Sequence, residues 1–375
     1  MRKFLAIQLV IALSMITAIP ANALNVPKSF EEFAKSSALA DPGILVIDPI
    51  SQTEIFESSA DIPRAPASIL KLISSVTAIR AFGQDRTFKT SISTTSDPQR
   101  FILLGEYDPW LTTSPSSAKK FQRALSTKLI NAISSTGADP KAVTIEFNGL
   151  FTKDIENLQT FYGKNLNFKR TTKADVKNVS GLTPLAEVSS PPLNEIIEFT
   201  LLWSDNTLAD RLARNAADEL GFTRDSDGMN LAFQETLQQL GVYSKGLDVK
   251  DGSGLSHDDR VSARTIAELL WKIRNEPEFY PVYAGLPVAG ESGTLKDRFK
   301  KSGKAAAGLV KAKTGWINTS VTLAGYVEVG DNEYVFAVIA NKVTPTEKSR
   351  DLARKTIDKM LATVAKPAEV ELEGQ

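Results

Sequence analysis

Residues 66–83 read Pro-Ala-Ser-Ile-Leu-Lys-Leu-Ile-Ser-Ser-Val-Thr-Ala-Ile-Arg-Ala-Phe-Gly. Ile69, Leu72, Ile73, Val76, Ile79 and Phe82 recur with the helical period, which predicts a helix from about Pro66 to Phe82. Proline suits its first turn and Gly83 its end. Ser68 and Lys71 stand three residues apart at its start, so they share a face. A serine hydroxyl becomes a nucleophile only with a base beside it. A lysine amine can be that base only if burial or a second cation lowers its pKa.

Two further short motifs follow in order: Ser204-Asp205-Asn206 and Lys313-Thr314-Gly315. Singly each has a plain structural reading. Ser68 could simply open a helix, and Ser-x-x-Lys begins again at Ser116 and Ser117. Ser204-Asp205-Asn206 could cap a helix starting near Thr207. Lys313-Thr314-Gly315 could be a strand ending in a turn. A looser Lys301-Ser302-Gly303 has no strand pattern leading into it. The ordered triple carries more weight than any member. If the strand bearing Lys313 lies beside the helix, Lys313 is the second cation that Lys71 needs.

The rest of the chain is read around these motifs. With 375 residues there is room for two domains, or one large domain with an insertion. Hydrophobic residues are 42% and charged residues 23%, as in ordinary globular chains. Basic and acidic residues number 44 each, which gives no reason to expect nucleic acid. The absence of cysteine excludes thiol catalysis, disulfides and thiolate metal sites. A single histidine, His257, excludes a multi-histidine metal centre. No metal or organic cofactor is implied.

Met1-Arg2-Lys3, an apolar run from Phe4 to Ile19 and Ala21-Asn22-Ala23 read as a secretory signal peptide, residues 1–23. A retained N-terminal anchor is the alternative. No later run approaches 18 apolar residues. The expectation is an extracytoplasmic protein, soluble or loosely held, with no stable membrane anchor after cleavage. Residues 366–375 form an acidic tail, expected to be disordered.

Strands are expected at Ile44–Asp48 and Glu54–Glu57, and again at Leu309–Lys313, Val321–Val329 and Glu333–Asn341, the last two joined at Gly330-Asp331-Asn332. Strands from both ends of the chain would form one sheet. Residues 192–240 read as helical, as do 262–274 and 346–364. From Asp85 to Pro184 the composition shifts toward Thr, Ser and turn signals, with strands at 101–104 and 143–147 and a helix near 118–135. That stretch reads as an inserted subdomain with its own small core. The division is 24–85 with 186–365 as a discontinuous main domain, and 86–185 as the insertion.

The ordered triple resembles that of the penicillin-binding serine acyltransferases, which include DD-peptidases and serine β-lactamases. Ser190-Pro191-Pro192-Leu193, Asp251-Gly252-Ser253-Gly254-Leu255-Ser256 and Ser292-Gly293-Thr294-Leu295 through Arg298-Phe299 are similar to low-molecular-mass class C penicillin-binding proteins. The resemblance covers about residues 42–362. It implies a mixed α/β, serine β-lactamase/DD-peptidase-like fold: an antiparallel sheet flanked by helices, an all-helical subdomain and a shortened insertion. The implied activity is D-alanyl-D-alanine carboxypeptidase and endopeptidase, acting on peptidoglycan stem peptides and acylated by β-lactams.

The same resemblance implies roles for matching positions. Ser68 would be acylated and Lys71 would take its proton. Ser204 would relay a proton to the leaving amine, and Asn206 would hold the substrate's peptide oxygen and Lys71. Lys313 would stabilise charge near Ser204 and the substrate carboxylate. Thr314, Gly315 and Trp316 would line the site, with the N–H groups of Ser68 and Trp316 as oxyanion hole. Three positions depart from the family pattern. Trp316 stands where Thr or Ser is usual, Glu106-Tyr107-Asp108-Pro109 where a Gly-Asp-Pro turn is common, and Asp210 where glutamate is common. No Glu-x-x-Leu-Asn stands between Asn206 and Lys313, against a class A β-lactamase. A non-catalytic wall-binding protein on the same fold is the other alternative. His257 reads as an exposed loop residue, Asp251 as a brace for its turn, and Arg298 equally as a carboxylate partner or a structural ion pair. Tyr326 and Phe336 read as sheet core.

Overall fold

A computed structural model describes residues 25–366. The expected signal peptide and all of the tail except Lys366 lie outside them. The described residues form ten strands, in chain order. β1 (Asp41–Ile47) and β2 (Glu54–Ser58) come first. β3 (Lys89–Thr94), β4 (Arg100–Gly105), β5 (Thr144–Asn148), β6 (Asn167–Arg170) and β7 (Thr183–Ser189) occupy the middle. β8 (Val310–Ile317), β9 (Ser320–Val329) and β10 (Asn332–Asn341) come last.

The first and last groups make one five-stranded sheet in the order β2-β1-β10-β9-β8, antiparallel throughout. The strands at the two ends of the sequence thus share a sheet, as expected. Its central strands are buried on both faces, which explains their unbroken apolar runs. On β10, Val335, Ala337 and Ile339 pack toward the helical body, and Tyr334, Phe336 and Val338 toward the opposite face. That opposite face is covered by the Glu347–Ala362 helix through Ala353, Ile357, Met360 and Leu361. Tyr326 is buried and its hydroxyl donates to the Leu270 carbonyl at 2.9 Å, so it is sheet core as expected.

The helical body packs on the first face. The Lys71–Phe82 helix is buried along nearly its whole length against Asn206–Glu219, Ser226–Gln239 and Ala263–Asn275. A helix enclosed on all sides needs no exposed polar face, and the one exposed residue here is Arg80 near its end.

The middle strands form a second sheet, β6-β5-β4-β3-β7, with parallel pairs at β4–β5 and β5–β6. It has its own core, which includes Ile92, Phe101, Ile130, Ile145 and Leu158. β7 pairs with β3 from Thr183 to Ser189, so it crosses the boundary expected at residue 185. The single helix expected near 118–135 is replaced by two, Pro115–Phe121 and Thr127–Ala132. Between them Gln122 turns left-handed (φ 52°), and the backbone pairs with Thr112 instead of continuing to coil. Tyr107, where the family resemblance expects glycine, takes φ 55° with its ring against the Arg224 guanidinium.

Arg64 fixes the approach to the Ser68 turn. Its buried guanidinium donates to the Asp41, Ser59 and Ile62 carbonyls at 2.9–3.0 Å and to the Asp41 carboxylate at 2.8 Å. Arg64→Met would strip the Asp41, Ser59 and Ile62 carbonyls of their guanidinium donor and leave Ser59 only the long bond from Ile62 N at 3.4 Å. The expected loss in urea unfolding is about 2–4 kcal/mol; a loss under about 0.5 kcal/mol would show that other contacts hold this loop.

Candidate active site

Ser68 lies in a 3₁₀ turn, Ala67–Leu70, that runs directly into the Lys71–Phe82 α-helix. In a 3₁₀ turn residues i and i+3 eclipse, which stacks Lys71 over Ser68. The turn begins with Ala67 at φ 49°, a conformation that costs a non-glycine residue about 1 kcal/mol or more. It is clamped from β9: the Ser320 hydroxyl donates to the Ala65 carbonyl at 2.7 Å, and the Thr322 hydroxyl to the Pro66 carbonyl at 3.0 Å.

Lys71 is fully buried and makes three contacts. Its Nζ lies 2.7 Å from Ser68 Oγ, 2.7 Å from Asn206 Oδ1 and 2.6 Å from the Ser253 carbonyl oxygen. Burial drives its pKa down, and the carboxylates of Asp251, Asp205 and Asp259 pull it partly back; the balance is about 7. A neutral amine has two N–H bonds and one lone pair. Asn206 Oδ1 and the Ser253 carbonyl can only accept, so they take the two N–H bonds. The lone pair is then left facing Ser68, the one partner able to donate a proton.

Ser253 belongs to the glycine-rich turn. Asp251 braces that turn, as expected: its carboxylate accepts from the N–H groups of Ser253, Gly254 and Ser256 at 2.6–2.8 Å and from the Ser253 hydroxyl at 2.7 Å. Burial opposes its charge, but these donors hold its carboxyl below the usual range. Asp210 Oδ1 accepts from Gly252 N at 3.0 Å, and the Ser74 hydroxyl donates to the Gly252 carbonyl at 2.6 Å. A side chain on Gly254 would overlap the Ala67 carbonyl, so the turn can reach Ser68 only with glycine there.

Ser204 ends the Leu193–Trp203 helix in the left-handed region (φ 58°), and Asp205 caps the next helix by accepting from Leu208 N at 3.0 Å. The capping reading of this motif is therefore correct for Asp205, while Ser204 and Asn206 face the cleft. Asp205 also pairs with Arg123 of the insertion at 3.2 Å, beneath the Trp110 ring.

The third motif lies inside a strand. The expected strand ending at Lys313 continues to Ile317, because its pairing with β9 runs unbroken to Ile317↔Ser320. β8 is the sheet edge. Its first residues are covered by 287–289, with Ala312 N donating to Pro287 O at 2.9 Å and Ala289 N to Val310 O at 2.8 Å. Outward backbone groups alternate along an antiparallel edge, so Thr314 and Trp316 turn theirs to the cleft. A Cβ on Gly315 would overlap the Thr322 hydroxyl and lie 2.8 Å from Ser68 N. The Ser68 and Trp316 N–H groups therefore flank one spot. Lys313 is fully buried and donates to the Thr314 carbonyl at 2.9 Å. Burial first, and Lys71 second, hold its pKa well below the ordinary value.

All eight expected site residues meet here. Ser68, Ser204, Asn206, Thr314, Gly315 and Trp316 line one cleft of about 800 Å³, and Lys71 and Lys313 sit buried beneath it. The second Ser-x-x-Lys copies lie on the Pro115–Phe121 helix of the insertion. The remaining lining includes residues without an expected role: Trp203, Leu255, Thr294, Asn318, Asp351 and Arg354. His257 is exposed at the cleft rim. Arg298 pairs with Asp358 of the final helix, the structural ion pair of its two expected readings. Among the described residues no cluster of His, Asp or Glu could hold a metal ion.

Fold and cleft define a serine hydrolase of the penicillin-binding class. Residues 27–139 and 156–364 match the model of the D-Ala-D-Ala carboxypeptidase 3 (S13) family, and the chain belongs to that family. It is a serine-type D-Ala-D-Ala carboxypeptidase. The carboxypeptidase DacB of Mycolicibacterium smegmatis is 26% identical over 371 residues, covering 84% of this chain and 81% of that one. The D-alanyl-D-alanine carboxypeptidase of an Actinomadura is 36% identical over 162 residues, 42% of this chain and 30% of that one. The fold is that of penicillin binding protein 4 from Haemophilus influenzae, solved with a β-lactam: TM-score 0.69 over 88% of this chain and 98% of that one, at 16% identity.

Gly315→Ala tests the docking of β8 on Ser68. Pushing the strand away should slow labelling by fluorescent penicillin about 100-fold, since small misplacements cost that much. Unfolding should shift by only about 1–3 kcal/mol. Labelling within about threefold of wild type would mean the approach is looser than the geometry requires.

Proposed function

We propose that this protein cleaves D-alanyl-D-alanine termini and cross-links of peptidoglycan stem peptides through an acyl-enzyme on Ser68. The observation that carries the reading is the buried Lys71 amine, whose single proton-giving partner is the Ser68 hydroxyl. Ser68 Oγ attacks the penultimate D-Ala carbonyl carbon, and its proton passes to Lys71 Nζ. The Ser68 and Trp316 N–H groups receive the developing oxyanion. The C–N bond then breaks, and the leaving amine takes a proton by way of Ser204. Lys313 stabilises charge near Ser204, Asn206 holds the substrate's peptide oxygen, and Thr314 and Gly315 keep the strand close to it. Water then hydrolyses the ester with Lys71 again as base, regenerating Ser68.

A β-lactam would enter the same step with its ring amide in place of the scissile peptide. Such substrates place the protein outside the cytoplasm, in keeping with the expected signal peptide. No helix among the described residues is long and apolar enough to cross a membrane.

Fluorescent penicillin should label the wild type covalently and fail to label Ser68→Ala. Persistence of the label in that variant would remove Ser68 as nucleophile, and a folded wild type that takes no label would favour a non-catalytic wall-binding protein. Lys71→Ala should slow acylation about 10³-fold with the fold retained. Lys71 must be neutral to act as base, so acylation should rise with pH, reach half its plateau near 7, the pKa of Lys71, and level off above about pH 8. A profile flat between about pH 5.5 and 8.5 contradicts the lysine-base assignment.

A further inference from the structure

One cation of the cleft is unused by this chemistry. Arg354, on the Glu347–Ala362 helix, lines the cleft together with Ser68, Ser204, Thr314 and Trp316. Its guanidinium carbon is 5.6 Å from the centre of the Trp316 ring. Arg350, one turn earlier, stands 5.3 Å from the same ring and donates to the Asn318 carbonyl at 3.4 Å. Among the described residues the Arg354 side chain makes neither an ion pair nor a hydrogen bond. The other cations are engaged: Arg298 by Asp358, Lys71 by its three partners, Lys313 by the Thr314 carbonyl. Two carboxylates also line the cleft. Asp351 is held by Lys355 at 2.6 Å and Asp297 by Lys300 at 3.5 Å.

Resting on the reaction proposed above, we propose that Arg354 receives the α-carboxylate of the leaving D-amino acid, with the Trp316 indole as the floor that positions it. The substrate has one charged group close to the scissile bond, the carboxylate one carbon beyond its nitrogen. With the scissile carbonyl oxygen between the Ser68 and Trp316 N–H groups, that carboxylate falls on the cleft face of β8. Thr314 and Trp316 share that face by strand alternation. Thr314 offers a hydroxyl, already 2.7 Å from the Thr294 hydroxyl, and Trp316 offers none. A guanidinium held over an indole supplies the missing donors in a planar fork that matches a carboxylate. The free terminus carries this α-carboxylate, and so does a cross-link whose leaving amine sits beside a carboxylate, as at the D-centre of a diaminopimelate, so on such substrates the same contact serves carboxypeptidase and endopeptidase cleavage.

The test compares a short peptide ending in D-Ala-D-Ala with its C-terminal amide. The wild type should favour the acid at least tenfold in kcat/KM; equal rates for the two would overturn the proposal without any variant. Arg354→Gln should raise KM for the acid about 10- to 100-fold, with kcat within a few-fold and the amide unchanged. Arg354→Lys should recover part of the loss. Equal losses on acid and amide would show that Arg354 merely supports Trp316, which also overturns the assignment. Failure of the underlying reaction reads differently: neither peptide would be cleaved by wild-type protein.

Discussion

A lysine with no exposed surface, tied at once to its own turn and to two distant segments, is the constraint on which the rest of the structure turns. Lys71 joins its own helix to Asn206, 135 residues later, and to the Ser253 carbonyl, 182 residues later. Its pKa near 7 is a balance of opposed effects. Complete burial disfavours the cation, while Asp251, Asp205 and Asp259 favour it. Asp259 is itself pushed up to about 7 by burial, so its pull weakens as it takes a proton. Asp251 is the stronger counterweight, because five donors in its turn keep it ionised. The brace that shapes the glycine-rich turn is thus also the group that keeps Lys71 titratable rather than permanently neutral.

The surrounding backbone is held in costly conformations that only tertiary contacts sustain. Ala67 and Ser204 both sit in the left-handed region without being glycine, and they stand at the turns of two of the three motifs. Strain of this kind persists where the surroundings over-determine the chain. Around Ala67 those surroundings are the β9 hydroxyls of Ser320 and Thr322, the docked Gly254 and the Cβ-free Gly315. Around Ser204 they are the Asp205 cap and its pairing with Arg123. The part of the chain that carries the second sheet and its own core therefore reaches the site through Arg123, which links it mechanically to the second motif.

What the sequence disclosed followed from what side chains record. The periodic Ile69–Phe82 pattern, the paired end strands and the ordered triple were legible because each is written in residue types at fixed spacing. The third partner of Lys71 was not, because a backbone carbonyl has no residue identity; Ser253 stands out only as part of a family-like stretch. The end of β8 was placed too early because Gly315 reads as a turn, while pairing with β9 carries the strand through it to Ile317. The broken helix near 118–135 has good local periodicity but loses to backbone pairing at Thr112. Arg354 carries no signal in the sequence, since nothing local shows which charge of the final helix faces a cleft.

The sheet edge sets how a peptide can enter. An exposed edge strand is a template for any extended chain, and proteins usually blunt it. Here residues 287–289 cover β8 only as far as Ala312, leaving the backbone of Thr314 and Trp316 open. An extended substrate can therefore add as a further strand over little more than the third motif. At one end of that open stretch stands the covering segment, and at the other the tight turn at Asn318-Thr319, with Trp316 and the final helix alongside. The free edge thus spans only a few residues of backbone, which suits the short end of a stem peptide. Specificity then falls to the side walls, where Trp203, Leu255 and Trp316 expose apolar surface around a polar floor. Recognition by a short edge and apolar walls makes the nearby charges decisive, because backbone pairing alone cannot tell one D-amino acid from another.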